Sequence, residues 1–432
     1  MRVTRHIGIA GPIATRDVAH LLDHSRDPSP DPAPTLPHGY DGAPLLATLI
    51  TELLRRGHRV SAFTLSRDLP LDDNSASTVL AHGPNFTLYC VPMRPRAWPF
   101  NGRRVGRIVD LYAFERRGLQ RAIALAAPDL VHAHWAYEFA WAALRSGLPH
   151  VITCHDSPFL IARYQRDFRH GGYRWLRAAM AWQVLRQARH VTTVSPYMVG
   201  QISALCRVPV RVVPNPIGAA AGVVSGIDKG PRLRVAMPGR RRVVMAANGW
   251  DVRKNSVVAL RAFALLAQQL PGVELRAFGH DHGPGEAAQR WWQASGLSGD
   301  VRFVGAVPQA QMLAELADSD VFLHTALEES FGAVLAEAMA AGVPVVAGAA
   351  SGAVPWVVGD AGRLVDVTRP DAVAQALEGL LLSRDETERA GQIGRQRVRS
   401  LFSAEVVVSA YERAYEYAWA SAALGVGVGG RP

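Results

Sequence analysis

Short runs of β-branched residues alternate with longer stretches of helical apolar periodicity along almost the whole chain. Of all its features, this one most narrows the fold, because strands that alternate with helical segments pair in parallel through crossover helices. Residues 6–10, 60–65, 86–91, 130–134, 151–154, 191–194 and 210–213 read as strands, with helices over 44–56, 106–127 and 174–188. Residues 222–242 break the rhythm with glycines, Gly230–Pro231, Pro238–Gly239 and three consecutive arginines, a composition suited to an interdomain linker. The alternation then restarts, with strands at 243–246, 273–278, 301–304, 321–324 and 343–347. Helices are expected at 256–270, 285–295, 309–317, 331–341, 371–382 and 386–401. A last periodic helix, 403–424, precedes a glycine-rich tail, 425–432, expected to be disordered. The reading is α/β: two doubly wound domains, 1–221 and 243–402, facing a cleft. Ligands of such sheets sit outside the carboxyl ends of the strands.

Composition excludes several alternatives. At 49% hydrophobic and 19% charged, the 432 residues are neither disordered nor collagen-like. Cys90, Cys154 and Cys206 are too far apart for a disulfide framework or a thiolate metal cluster, so a reduced, cytosolic protein is expected. No basic-then-apolar leader opens the chain, and the longest apolar stretch, 331–359, is broken by Glu337, Pro344 and Pro355. Neither a signal peptide nor a membrane span is therefore predicted. The net charge of +10 rests almost wholly on arginine; Lys229 and Lys254 are the only lysines among 47 basic residues.

The segment ALEESFGAVLAEAMAAGVPVVAG, 326–348, is the most informative. Ser330 is placed to cap a helix starting near Phe331, and Gly332 lets a ligand approach the backbone. Free amides at a helix amino end suit phosphate. Apart from Glu337 that helix is apolar all round, hence buried, and a buried carboxylate needs a donor such as a sugar hydroxyl. Glu329 lies eight residues earlier, in the preceding loop.

This block resembles the E-x7-E signature of the retaining glycosyltransferases of family 4, which have the GT-B fold. RGHRV, PDLVHAHW, VITCHD, VTTVSP and VVPNPIG precede it in the family's order. The resemblance implies two Rossmann-like domains, the nucleotide-sugar held mainly by the second, and a C-terminal helix returning to the first. It gives Glu329 the hydroxyls of the donor sugar, Glu337 the ribose, and the amides of Gly332, Ala333 and Val334 the sugar and diphosphate. His155 matches the histidine beside the transferred sugar, with Asp156 orienting its neighbours. Gly42, in GYDGAP, matches the glycine loop that approaches the diphosphate. Family members pair an arginine with a lysine on the diphosphate; here Lys254 is present, but the arginine positions hold Asn248 and Gly249, and Arg253 is expected to face the surface. Trp356 stands where many relatives carry glutamate. The family is regarded as metal-independent, so no cofactor or metal is expected.

His132 and His134, and His280 and His282, lack a third ligand at metal-site spacing and read as core or loop histidines. No G-x-G-x-x-G follows the first strand, which argues against a dinucleotide oxidoreductase. The resulting expectation is transfer of a sugar from a nucleotide-diphosphate donor to a glycan or glycolipid acceptor. A GT-B sugar-nucleotide epimerase and a non-catalytic basic membrane scaffold are the alternatives. Arginine-rich stretches at 94–121 and 163–189, the second interleaved with aromatics, lie in the expected acceptor domain. They suit an enzyme in the cytoplasm that docks on the anionic inner face of the membrane. No DNA-reading motif accompanies them.

Overall fold

In the computed structural model, which describes residues 4–23, 36–40, 44–71, 78–164, 168–218 and 241–424, the alternating segments build two separate sheets. Each sheet belongs to its own unit. The first unit comprises Met1–Val194, Met198–Pro216 and Val407–Pro432, the second Ser195–Tyr197 and Ile217–Val406. The glycine loop with Gly42, the tail 425–432 and the linker up to Arg240 lie outside the described residues.

The first sheet contains β1 His6–Ala10, β2 Arg59–Ser66, β3 Val79–Gly83, β4 Phe86–Pro92, β5 Leu130–His134, β6 His150–Cys154, β7 Val191–Thr193 and β8 Val210–Val212. Its order is β3-β4-β2-β1-β5-β6-β7-β8, parallel except for the β3–β4 hairpin. That edge strand is absent from the sequence reading. VLAHG alternates half-buried with exposed positions and lacks a strong apolar period, and Asn85 turns the hairpin at φ 56°. The helix expected from 106 starts only at Ala113, because Leu111 and Tyr112 take positive φ (51° and 62°), which no helix can continue. Helix Glu138–Arg145 is also new; with only eight residues, six of them buried, it is too short for a helical period to stand out.

The second sheet contains β9 Arg241–Ala246, β10 Val273–Phe278, β11 Asp300–Gly305, β12 Val321–His324, β13 Val345–Gly348 and β14 Gly362–Val365. Its strands run in the order β11-β10-β9-β12-β13-β14, with parallel pairing throughout. Arg241 and Arg242 are strand residues rather than linker. Arg242 meets Asp320 and Asp318 at the amino end of β9, away from the ligand-bearing end.

Helix Ala404–Ala423 packs into the core of the first unit. Val407, Val408, Tyr411 and Tyr415 join Ile7, Ile9, Leu49 and Leu130 in one apolar cluster. Arg56 and His58 tie the same helix down through Glu412, at 2.7 and 3.1 Å.

Several arginines of the two basic stretches are internal, so they are not available to a membrane surface. Arg94 is 1% exposed and donates to Glu115 (2.6 Å) and Asp110 (2.8 Å). Arg107 is buried against the carbonyls of Arg94 and Pro95. Arg177 bonds Glu138 at 3.0 Å and lies 3.8 Å from the Tyr137 ring centroid. Removing one member of a buried pair leaves the other charged without compensation, at a cost of about 3–5 kcal/mol. Arg94→Met should lower stability by about that much in urea unfolding of the first unit. A loss below about 1 kcal/mol, the range of exposed pairs, would show that Glu115 is solvated after all.

Candidate functional site

In the second sheet β9 lies between β10 and β12, so the direction in which strands are added reverses there. Loops leaving the two strands at such a point part and leave a crevice at their carboxyl ends. Residues 247–255 leave β9, and 325–332 leave β12. The two loops are stitched together by Asn255, whose side-chain amide donates to the carbonyls of Thr325 (3.1 Å) and Val367 (2.8 Å). Its φ of 54° turns the backbone into helix Ser256–Gln269.

Lys254 and Glu329 meet in this crevice. The ammonium donates to the carboxylate at 2.7 Å, across 75 residues of sequence. His324, at the end of β12, brings its Nε2 to 3.5 Å from the same oxygen. Burial alone would raise the pKa of Glu329; the His324 imidazole and the Lys254 charge overcome it and hold the carboxyl well below the usual carboxylate range. Glu329 is therefore ionised, positioned and preloaded with a cation. His324 escaped the sequence reading, its only signal being a place at a strand's carboxyl end. Glu328 escaped it too: Tyr197 donates to it at 2.9 Å, and burial raises its pKa.

Helix Ala333–Ala341 follows. Ser330 does not cap it; its carbonyl accepts from the Ser195 hydroxyl (2.7 Å), and Gly332 occupies the cap at φ 82°. A side chain there would also drive a Cβ to 2.9 Å from Leu335. That contact is with a terminal methyl that can turn aside, so the positive φ is what calls for glycine. Leu335 N–H turns back onto the Gly332 carbonyl (3.0 Å), while the amides of Ala333 and Val334 belong to the first turn, which has no intrahelical acceptors. Glu337 is half-buried and accepts from the Gln309 amide at 2.9 Å; burial raises its pKa.

Arg253 does not face the surface. Its guanidinium reaches toward the Glu328 carbonyl (3.5 Å). Asn248 is exposed and accepts from the His280 amide at 3.2 Å. Gly249 has φ 100°, so a side chain in the vacant clamp position would be strained. Trp356 joins Phe331 and Phe402 in an aromatic cluster, with centroids 5.3–6.4 Å apart, and its carbonyl accepts from Arg397.

In the first unit His155 follows β6. It is buried, stacks on Trp135 (4.2 Å between centroids) and shares a hydrogen bond with His134 (Nε2 to Nδ1, 2.9 Å). The neighbouring His132 is held between the Tyr415 hydroxyl and Thr153, each at 2.7 Å. His132 and His134 are thus core histidines, and the returning helix supplies one of their partners. Burial drives the His155 pKa down to about 3, with the Asn215 side chain opposing it. Asp156 accepts from the Tyr137 hydroxyl at 3.0 Å, and burial raises its pKa.

Comparison with known proteins identifies the family. A model described as "Glycosyl transferases group 1" matches residues 235–397, and one described as "Glycosyltransferase Family 4" matches residues 44–220. The chain belongs to the family-4 glycosyltransferases. A phosphatidyl-myo-inositol mannosyltransferase of Mycolicibacterium smegmatis is 37% identical over 183 residues, 41% of this chain and 46% of the relative. The similarity thus spans about half the length of that relative. A D-inositol 3-phosphate glycosyltransferase of Stackebrandtia nassauensis is 25% identical over 388 residues, 86% of this chain and 82% of the relative. Among solved structures, sucrose-phosphate synthase of Thermosynechococcus elongatus matches with a TM-score of 0.70 at 19% identity, covering 96% of this chain and 100% of that one. The fold is GT-B.

The depressed imidazole gives a pH signature. Between about 6.5 and about 3, the unfolded chain binds a proton at His155 that the native chain does not. Stability contributed by the neutral ring is complete above that window and falls as pH drops through it, by about 1.4 kcal/mol per pH unit. His155→Asn should flatten the stability-versus-pH slope between pH 6 and 4, measured by urea unfolding at each pH. An unchanged slope would mean that His155 titrates normally.

Proposed function

We propose that the protein transfers a sugar from a nucleotide-diphosphate-sugar to a glycan or glycolipid acceptor, with retention of configuration and without a metal. The Lys254–Glu329 pair at the switch point of the second sheet carries this reading. An ionised carboxylate accepts hydroxyl hydrogens of a sugar, and a compact ammonium beside it suits the diphosphate. The amides of Gly332, Ala333 and Val334 extend the phosphate contact at the helix amino end. Glu337 takes the ribose, releasing Gln309. Asn248, exposed where the family clamp has arginine, adds a neutral donor. Arg253 supports the loop through the Glu328 carbonyl. His155 and Asp156 are assigned to the sugar, and Gly42 to the diphosphate, by resemblance to the family.

Chemistry on this plan needs no placed nucleophile. The leaving diphosphate departs from the face that the acceptor attacks, and the protein supplies orientation and charge stabilisation. The relatives, a phosphatidyl-myo-inositol mannosyltransferase and a D-inositol 3-phosphate glycosyltransferase by name, favour a polyol or lipid-linked acceptor.

Docking on a membrane is a further part of the proposal. Among the described residues no helix is long and apolar enough to cross a bilayer. Phe100 is 63% exposed and Trp175 50%, and Gly172 lies close to Trp98, which brings the 95–105 loop beside helix Phe168–Leu185. Arg96, Arg103 and Arg163 are exposed nearby in sequence. Aromatic rings with arginine suit an anionic headgroup layer, each basic residue adding about 1 kcal/mol. The internal positions of Arg94, Arg107 and Arg177 reduce the number available, so salt-sensitive, peripheral attachment at the cytoplasmic face is the form proposed.

Three variants divide the roles. Glu329→Ala should slow transfer by about 100-fold or more with nucleotide diphosphate still bound. Glu337→Ala should weaken nucleotide binding, and Lys254→Ala should weaken nucleotide diphosphate far more than nucleoside, both read by calorimetry. Wild-type diphosphate affinity in Lys254→Ala would place the clamp elsewhere. For docking, the protein should float with anionic vesicles at low salt and less at high salt; no flotation at low salt would overturn that part alone.

A further inference from the structure

The first unit also contains a cavity at the end of its sheet opposite His155. Leu148, His150, Arg189, His190 and Val208 line it, and all stand at or just before the amino ends of β6, β7 and β8. His155 follows the carboxyl end of β6, a five-residue strand that spans roughly 16 Å at about 3.3 Å per residue. The cavity is therefore separate from the ligand end of the sheet. Its volume is about 600 Å³, within the roughly 300–1,000 Å³ of small-molecule pockets.

Its lining is one-sided in charge. Arg145, Arg189, His150 and His190 face it with Gln187, and no aspartate or glutamate lines it. A second, smaller cavity of about 90 Å³ shares Arg189, His190, Val208 and Tyr417 with it and is also lined by Arg211, whose guanidinium lies 4.1 Å from the ring centroid of Tyr417. Among the described residues no carboxylate pairs with Arg145, Arg189 or Arg211. His150 is already committed: its Nδ1 donates to the Leu148 carbonyl (3.2 Å), and its Nε2 accepts from the Arg189 amide (3.4 Å). His190 packs edge-on against Tyr417 at 5.2 Å, and burial with the nearby His150, Arg211 and Arg189 lowers its pKa to about 4. The rest of the lining is mostly apolar, with Leu144, Leu148, Val208, Tyr417, Ala418 and Leu424.

We propose that this cavity binds a phosphate monoester carrying a compact apolar body. A guanidinium fork matches phosphate oxygens in pairs, and arginines without carboxylate partners, Arg145 and Arg189 in this cavity and Arg211 in its neighbour, suit a dianion better than a single carboxylate. The volume far exceeds that of a phosphate, and the Tyr417 wall supplies the apolar contact that fills it. This inference does not depend on the transfer reaction, because none of the residues assigned to that reaction lines the cavity. A soluble phosphate ester and a phosphatidic headgroup share this chemistry.

Hexyl phosphate is the probe, titrated by calorimetry into the full chain. It should bind at least ten-fold more tightly than inorganic phosphate, hexanol or hexylamine. Arg189→Gln and Arg211→Gln should each weaken it ten-fold or more, with the melting temperature and the nucleotide diphosphate affinity unchanged. Ala420→Trp, which fills the cavity, should abolish it. Phosphatidic acid vesicles that displace hexyl phosphate would identify a lipid as the source, and failure to displace would identify a soluble ester. No binding of hexyl phosphate, equal affinity for hexylamine, or unchanged affinity in both arginine variants would overturn the proposal.

Discussion

A charge taken out of water must be paired, and that requirement organises both halves of this protein. Glu329 stays ionised in a crevice that would otherwise favour its neutral form, because Lys254 and His324 face it. Arg94 with Glu115 and Arg177 with Glu138 obey the same rule inside the first unit. Such pairs are specific as well as necessary, since either partner alone would be a large penalty. In the second unit the rule also leaves a usable site. The pair is held by loops rather than sealed in a core, and on the function proposed above a diphosphate and a sugar hydroxyl take over the two halves of it.

Sheet topology decides where this happens. The order β11-β10-β9-β12-β13-β14 parts the loops after β9 and β12. Gly332 follows in the left-handed region, which glycine adopts without strain, and turns the chain into helix Ala333–Ala341. In the first unit the same end of the sheet carries His155, backed by His134 and then by His132, Thr153 and Tyr415. Tyr415 lies on the C-terminal helix, so the histidine cluster is completed only when that helix has docked.

Much of this was legible in the sequence, wherever the signal was local. Strand β10 and helix Gln309–Ala317 begin and end where the periodicity places them, and the E-x7-E block points to the crevice after β12 through its resemblance to the family. Elements without a local signal were missed. The edge strand Val79–Gly83 is only half-buried, and helix Glu138–Arg145 has only eight residues, so neither carries a period long enough to identify it. The start of the helix at Ala113 was misplaced because two non-glycine residues at positive φ break the chain just before it.

By itself, then, the sequence determined two α/β halves, the crevice-bearing segment and the family, since all of these rest on periodicity and short motifs. Tertiary structure alone decided that Lys254 meets Glu329 across 75 residues, that His324 completes the pair, and that Arg94 and Arg177 are internal rather than solvated. It also decided that Arg253 turns inward and that Ser330 does not cap its helix. The physical reason is the same in each case. Which charges become neighbours depends on the order in which distant strands are laid side by side, and no local spacing carries that information.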